Sequence, residues 1–254
     1  MKIFVINLKE SLKRRELMER QLQDLGLDYE IVEGINGHCL DDREQQELCD
    51  PESIHAHPDW LSPGAIGAAL SHRLVWSRIA REGLESAVVL EDDVLLPQRL
   101  PTILRQIELH YGGDELLLLY WSSSIVQPFI RQSAVEIVDG HLLASTPNPN
   151  SLLSAVMYVI GSEVASKMVN INTPIKVTAD HWVTHHQGQA FRHIKCLVPS
   201  PVNLANYPSD IRYGDQHLLR RIKRSLEARF WLIQQLSAKR RQSYFAKRQH
   251  YTWV

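Results

Sequence analysis

Ser86-Ala87-Val88-Val89-Leu90-Glu91-Asp92-Asp93 is the stretch that decides the fold. Its unbroken apolar run reads as a strand buried on both faces, as in a parallel sheet held between helices. The end of that strand delivers three adjacent acids. Carboxylate oxygens are the hard ligands that Mg²⁺ or Mn²⁺ prefers, and such ions complete their shells with water and substrate phosphates. Three neighbouring negative charges repel one another unless a cation neutralises them. A solvated acidic loop fits the triplet alone equally well.

Upstream, residues 3–8 form another continuous apolar run and predict a second buried strand. Ser11 is placed to cap a helix over residues 11–25, with Leu12, Leu17, Met18, Leu22 and Leu25 on one face and Gly26 as its stop. A strand over 29–32 then closes a βαβ unit, and Gly34 and Gly37 punctuate the loop after it. Residues 40–62 are polar and rich in Asp, Glu and Pro, predicting a mobile excursion with one short helix. Pro63 suits the first turn of a helix that runs to Glu82 and stops at Gly83.

Downstream, the pattern predicts a helix over 97–110, a strand over 116–121 and a hairpin over 134–145 turning at Asp139-Gly140. A strand over 155–160, a helix over 162–169 and a strand over 191–198 follow. Strands and helices that alternate, then a hairpin-bearing second half, predict an α/β fold with a mixed sheet flanked by helices.

The chain has 254 residues, 44% of them hydrophobic and 22% charged, enough for one large α/β domain or two small ones. Its net charge of −1 hides an asymmetry. Residues 1–211 carry 17 Lys/Arg against 27 Asp/Glu, and residues 212–254 carry 11 against 2. The expected organisation is a body over 1–211 and a basic extension over 212–254. Such an end suggests an anionic partner, membrane or nucleic acid. Cys39, Cys49 and Cys196 form no CxxC pair, which fits a reducing compartment. The first apolar stretch is too short for a signal peptide, and no run approaches the ~18–20 residues of a membrane span. The expected location is therefore cytoplasmic.

No GxGxxG follows the first strand, and no Walker A, HExxH or nucleophile-elbow pattern occurs. The first βα turn instead reads Asn7-Leu8-Lys9-Glu10-Ser11-Leu12-Lys13-Arg14-Arg15. Basic residues in a helix's first turn oppose its dipole, a cost that makes sense if an anion such as phosphate lies nearby. A solvated basic face is the competing reading. Leu61-Ser62-Pro63-Gly64-Ala65-Ile66-Gly67-Ala68-Ala69-Leu70-Ser71-His72 clusters small residues that let a neighbouring strand or a ligand approach the backbone. Asp180 is placed either to cap a helix or to act as a base, and His181 and His185 share the i, i+4 spacing of a two-histidine metal face.

Together these segments resemble glycosyltransferase family 25, which includes bacterial lipooligosaccharide galactosyltransferases and collagen galactosyltransferase domains. The resemblance is carried by Val5-Ile6-Asn7-Leu8 with Ser11 and Arg14-Arg15; by Gly64, Gly67, Ser71-His72 and Trp76; and by Leu90-Glu91-Asp92-Asp93. It continues through Tyr158-Val159-Ile160, Asp180 and Ser209-Asp210-Ile211. It implies a GT-A type fold, a UDP-sugar donor, inversion at the anomeric carbon, and Mn²⁺ or Mg²⁺ held by Glu91 and Asp93. It also implies that Asn7, Arg14, Arg15, Ser71, His72 and Asp92 lie about the donor, and that Asp180, with His181 as substitute, deprotonates the acceptor. The chain departs from the family at Ala65, where Glu is frequent, and at Ala68, where Cys is frequent, which opens donor or acceptor preference to change.

In the extension, Leu219, Ile222, Leu226, Phe230 and Ile233 recur at helical spacing, with Arg220, Arg221, Lys223 and Arg224 off that stripe. This predicts either an interfacial helix on an anionic bilayer or a helix packed on the body with a solvated basic face. Residues 242–254 are expected to be loosely ordered. The resulting expectation is a metal-dependent inverting hexosyltransferase, moving galactose or glucose to a glycolipid acceptor such as lipooligosaccharide at the inner face of a bacterial inner membrane. A different metal-dependent phosphate-ester enzyme and a catalytically dead glycan- or nucleotide-binding module are the rivals. Nucleic-acid binding is not expected, because no recognisable module accompanies the basic charge.

Overall fold

The computed structural model describes residues 1–58, 60–205 and 249–254. The chain begins with β1 (Lys2–Leu8), α1 (Leu12–Asp24) and β2 (Tyr29–Gly34), the expected βαβ unit. Two short helices follow, α2 (Asp42–Leu48) and α3 (Pro51–Ala56), then the long α4 (Pro63–Glu82). Next come β3 (Ala87–Glu91), β4 (Val94–Leu95), α5 (Leu100–His110), β5 (Glu115–Leu118), β6 (Ser122–Ser123) and β7 (Gln127–Phe129). The hairpin β8 (Val135–Val138) and β9 (His141–Ser145) leads to β10 (Leu152–Leu153), β11 (Met157–Ile160) and α6 (Ser162–Ile171). Then come α7 (Trp182–Gln187), β12 (His193–Val198), β13 (Asn203–Leu204) and, among the last residues, β14 (Tyr251–Trp253).

Eight strands make one mixed sheet in the order β2-β1-β3-β11-β5-β12-β9-β8. The three strands β2, β1 and β3 are parallel, and β11 enters antiparallel between β3 and β5. Alternate residues of these all-apolar strands serve two different cores, as a side-chain period of two requires. Phe4, Val89, Leu118 and Tyr158 face one way, packing with Trp76 and Ile79 of α4 and Met168 of α6. Ile3, Val5, Val88, Leu90 and Val159 face the other, packing with Met18 and Leu22 of α1 and Ile103 and Ile107 of α5. The sheet is thus covered by helices on both faces, the expected α/β architecture.

Two stretches differ from expectation. Residues 40–62 form two capped helices rather than a mobile excursion. Asp41 and Glu44 make a capping box, Asp50 caps α3, and the backbone of Leu48 and Asp50 bonds to Ile175. Cys49, Leu61, Ile66, Leu70 and Ile175 form a small core beneath them. Of the stretch expected to be loosely ordered, residues 242–248 lie outside the described residues, while β14 runs parallel to β7 with Trp253 against the main core. Phe129, Tyr251 and Trp253 meet there edge-on or tilted, and the Arg131 guanidinium lies over the Trp253 ring. That docking has no periodic apolar signal in six residues, so sequence pattern could not show it. The predicted 219–233 helix and the Ser209-Asp210-Ile211 motif lie outside the described residues.

Candidate active site

The carboxyl ends of β1, β2 and β3 open into one cleft, at the edge of the parallel block where β11 reverses direction. Ligands of open α/β sheets bind outside such strand ends. Its walls include Asn36, Gly37 and His38 after β2, and Gly64, Ala68, Ser71 and His72 from α4. Arg14 and all three acids, Glu91, Asp92 and Asp93, complete it. The cleft encloses about 730 Å³, its open mouth included.

The small residues of α4 are used by a neighbouring loop. A Cβ at Gly37 would overlap the carbonyl oxygen of Pro63, and one at Gly67 would overlap the backbone of Ile35 and Gly37. Ser71 fastens the same contact: its hydroxyl donates to the Gly67 carbonyl at 2.7 Å and accepts from the Ile35 N–H at 2.8 Å. Ser71 therefore builds the wall that carries Asn36 and His38 into the cleft. Those loop residues follow no motif that sequence reasoning could have singled out.

The three acids have three different fates. Asp92 is buried and held by this chain's own donors, Asn7 Nδ2 at 2.6 Å and Arg14 Nη1 at 3.2 Å. Burial pushes its carboxyl up, against the pull of Asn7 and Arg14. The basic first turn of α1 is thereby explained, since Arg14 pairs with the acidic turn itself. Glu91 is about one-third exposed and meets His72 Nε2 at 3.2 Å through Oε1. Asp93 keeps one oxygen, Oδ1, sealed from solvent with no hydrogen-bond partner. Burial first, then the charges of Glu91 and Asp92, push the Asp93 carboxyl up to about 7. The turn is fixed from below, where the Asp93 carbonyl accepts from the Ala205 N–H at 2.7 Å.

An orphaned buried carboxylate oxygen beside two more acids is a donor set that a divalent cation fits. No group of three or more His, Cys, Asp or Glu side chains is arranged to hold a metal among the described residues.

The remaining expected site residues lie elsewhere. Arg15 turns to the surface, where its Nε donates to Glu19 at 2.9 Å. Asp180 is not among the cleft-lining residues, and both its oxygens are taken. Oδ2 accepts from the Ser154 N–H at 3.0 Å and Oδ1 from the Thr178 hydroxyl at 2.8 Å. Ser154 sits at φ 85°, a left-handed conformation that a side chain disfavours, and Asp180 latches it there. His181 is half-buried, bonded through Nδ1 to Thr184, with its ring 5.2 Å from Trp60. His185 points into the core between Trp76 and Trp182, with neither ring nitrogen bonded. The two histidines do not form a shared metal face.

A model of glycosyltransferase family 25 (LPS biosynthesis protein) matches residues 1–183. Procollagen galactosyltransferase 1-B of Xenopus laevis is 34% identical over 129 residues, covering 46% of this chain and 20% of that protein. Procollagen galactosyltransferase 2 of Homo sapiens is 29% identical over 186 residues, covering 67% of this chain and 27% of that protein. The chain thus spans about a quarter or less of the curated relatives it matches. A solved UDP-glucose pyrophosphorylase complexed with UDP-glucose overlaps 77% of this chain and 89% of its own, at a TM-score of 0.40 and 10% identity. That overlap is too loose to bear on the site. The family match runs from β1 through the acidic turn into α7 and so takes in every cleft-lining residue: this chain belongs to glycosyltransferase family 25.

Proposed function

We propose that the chain is a metal-dependent inverting glycosyltransferase that moves a hexose, galactose first, from a uridine diphosphate sugar to a saccharide acceptor. The observation that carries the reading is the acidic turn at the cleft, with Asp93 Oδ1 buried and unpartnered beside Glu91. The galactosyltransferase names of its relatives support the sugar. The family description supports a surface-glycan acceptor such as lipooligosaccharide.

Glu91 and Asp93 would hold Mn²⁺ or Mg²⁺ against the donor diphosphate. Bound there, such an ion supplies Lewis-acid neutralisation of the charge that grows on the leaving group. Asn7 and Arg14 fix Asp92, and through it the backbone of the turn that presents both ligands. Ser71 holds the opposite wall, so the cleft keeps its width between the loop after β2 and the acids. An acceptor hydroxyl needs a base, a role that typically contributes ~10²–10⁴-fold in rate. Asp180 keeps that assignment only if its two hydrogen bonds open when the acceptor binds.

Calorimetry with a panel of nucleotide sugars, in Mn²⁺ and again in EDTA, tests the reading. Binding of one uridine sugar that needs the ion and disappears in Asp93→Ala is expected. Folded wild-type protein that binds none of them, or binds equally well in EDTA, would overturn it.

A further inference from the structure

Tyr158 lies on β11 and Trp76 on α4, and neither touches the cleft, yet both connect to it through a chain of hydrogen bonds. Trp76 Nε1 donates to Tyr158 Oη at 2.6 Å, Tyr158 Oη lies 2.8 Å from His72 Nδ1, and His72 Nε2 lies 3.2 Å from Glu91 Oε1. Trp76, Tyr158 and His72 are all at most 1% exposed, so bulk solvent does not reach the links among these three.

Proton accounting fixes the direction of every link. The indole N–H can only donate, so Tyr158 Oη accepts from Trp76. Burial pushes the Tyr158 phenol well above its ordinary range, so Oη keeps its own proton. That proton needs an acceptor in a fully buried place, and His72 Nδ1 is the remaining partner of Oη. Nδ1 is therefore the unprotonated nitrogen, and the imidazole proton sits on Nε2. Glu91, as a carboxylate, can only accept, which demands the same proton on Nε2. Two independent ends of the chain select one tautomer. The reverse tautomer would bring an N–H to an oxygen already accepting from Trp76, and would strand both the phenol proton and a bare Nε2 facing a carboxylate.

We propose that Trp76 and Tyr158 are positioning residues of the donor site: they lock His72 with its Nε2–H toward Glu91, which holds Glu91 by Oε1 and leaves Oε2 for the ligand. The inference rests on the functional reading above. Its physical sense is that of an outer-shell partner, where a fixed hydrogen bond sets the orientation of a ligating group before the ligand arrives. It also gives Tyr158 a reason to be tyrosine in the middle of a sheet, since phenylalanine would fill the same apolar space between His72 and Trp182.

The test has two arms. Nitrogen NMR of protein labelled in histidine, with the His72 signals assigned by their loss in His72→Gln, reads the tautomer directly. A protonated Nε2 and a bare, hydrogen-bonded Nδ1 are expected, with the Nδ1–H form appearing in Tyr158→Phe. Calorimetry of UDP with Mn²⁺ reads the consequence: roughly tenfold weaker binding in Tyr158→Phe, in the range of outer-shell losses, with binding lost in EDTA in both proteins. Trp76→Phe provides a second variant should Tyr158→Phe not fold, and is expected to shift both readouts in the same direction. A wild-type Nδ1–H signal with intact UDP binding overturns the relay alone. The expected tautomer in a protein that binds no UDP overturns the donor-site reading, and the positioning role with it. Folded Tyr158→Phe that keeps the wild-type tautomer and affinity also overturns the relay.

Discussion

Two regions of this molecule place acids beside histidines, and they end up as opposites. At the end of β3, Glu91, Asp92 and Asp93 meet His72 on the wall of a cleft. Ahead of α7, Asp180 precedes His181, His185 and His186 in a segment that supplies none of the cleft-lining residues. The first region leaves a carboxylate oxygen buried and unbonded where a ligand can reach its neighbours. The second spends its carboxylate on a backbone N–H and a hydroxyl. Its unbonded nitrogens belong to His185, sealed among tryptophans. A carboxyl pushed up to about 7 beside a cleft is a group whose charge a bound cation would restore. An unsatisfied imidazole in an apolar stack implies only that the ring stays neutral.

The contrast breaks most visibly at Asp93. Asp93→Asn is expected to abolish Mn²⁺-dependent nucleotide-sugar binding and to lower turnover by more than the ~10–100-fold that loss of an outer-shell partner costs. The melting temperature should hold or rise, because the variant removes a buried like-charge neighbour of Glu91 and Asp92. A variant that melts lower yet keeps metal-dependent binding would make the acidic turn architectural, like the Asp180 segment.

His185 gives the next effect, on stability. Burial first, and the charge of His181 second, lower its pKa to about 4 from an unfolded value near 6.5. Between those values the unfolded chain binds the proton and the folded one does not, so stability is present above pH ~6.5 and is lost as pH falls toward ~4. The linked loss is about 3 kcal/mol. Urea unfolding at pH 7 and pH 4.5 should show it as the difference between wild type and His185→Leu, because the raised Asp93 carboxyl contributes the opposite slope over the same range in both proteins. An equal pH slope in the variant would mean that His185 is charged or bonded in the fold.

Asp180 then separates latch from base. Asp180→Ala leaves the Ser154 N–H and the Thr178 hydroxyl without their acceptor, a cost of about 1–3 kcal/mol. With that loss, kcat is expected to stay within about tenfold of wild type. A fall of ~10²–10⁴-fold in kcat at unchanged stability would restore Asp180 as the acceptor base.

The backbone of the site was readable because apolar runs and punctuation mark it. Pro63 and Gly83 bound α4 where the sequence places them, and the run ending at Leu90 is β3 with Glu91 at its tip. What could not be read is what crosses between elements. The antiparallel entry of β11 beside β3 brings Tyr158 to His72, a meeting across 86 residues that no spacing encodes. Gly37 and Gly67 each look like a loop or helix glycine, and only their mutual approach reveals why neither tolerates a side chain. The hydrogen bonds of Asp180 were hidden for the same reason: its partners Ser154 and Thr178 carry no charge, so nothing in the pattern announces that each of its oxygens already accepts a hydrogen bond.

The finest form of the comparison lies within one dipeptide. Arg14 and Arg15 are interchangeable in the sequence, both basic residues in a helix turn that favours acids. A helix advances about 100° per residue, so adjacent side chains cannot share a target. Arg14 is the one that turns inward to Asp92, with its side chain 16% exposed. Arg15 turns outward onto Glu19, one turn along and about one-third exposed. An exposed i, i+4 pair contributes about 0.3–0.5 kcal/mol. Arg15→Ala should therefore cost no more than that in urea unfolding and should leave UDP affinity unchanged. Arg14→Ala removes a donor from a buried carboxylate and should weaken UDP binding measurably as the turn loses its fixed geometry. Equal effects of the two variants on UDP affinity would mean that the ligand is drawn by the basic turn as a whole, and the distinction between a satisfied surface pair and a site-building one would fail at its smallest scale.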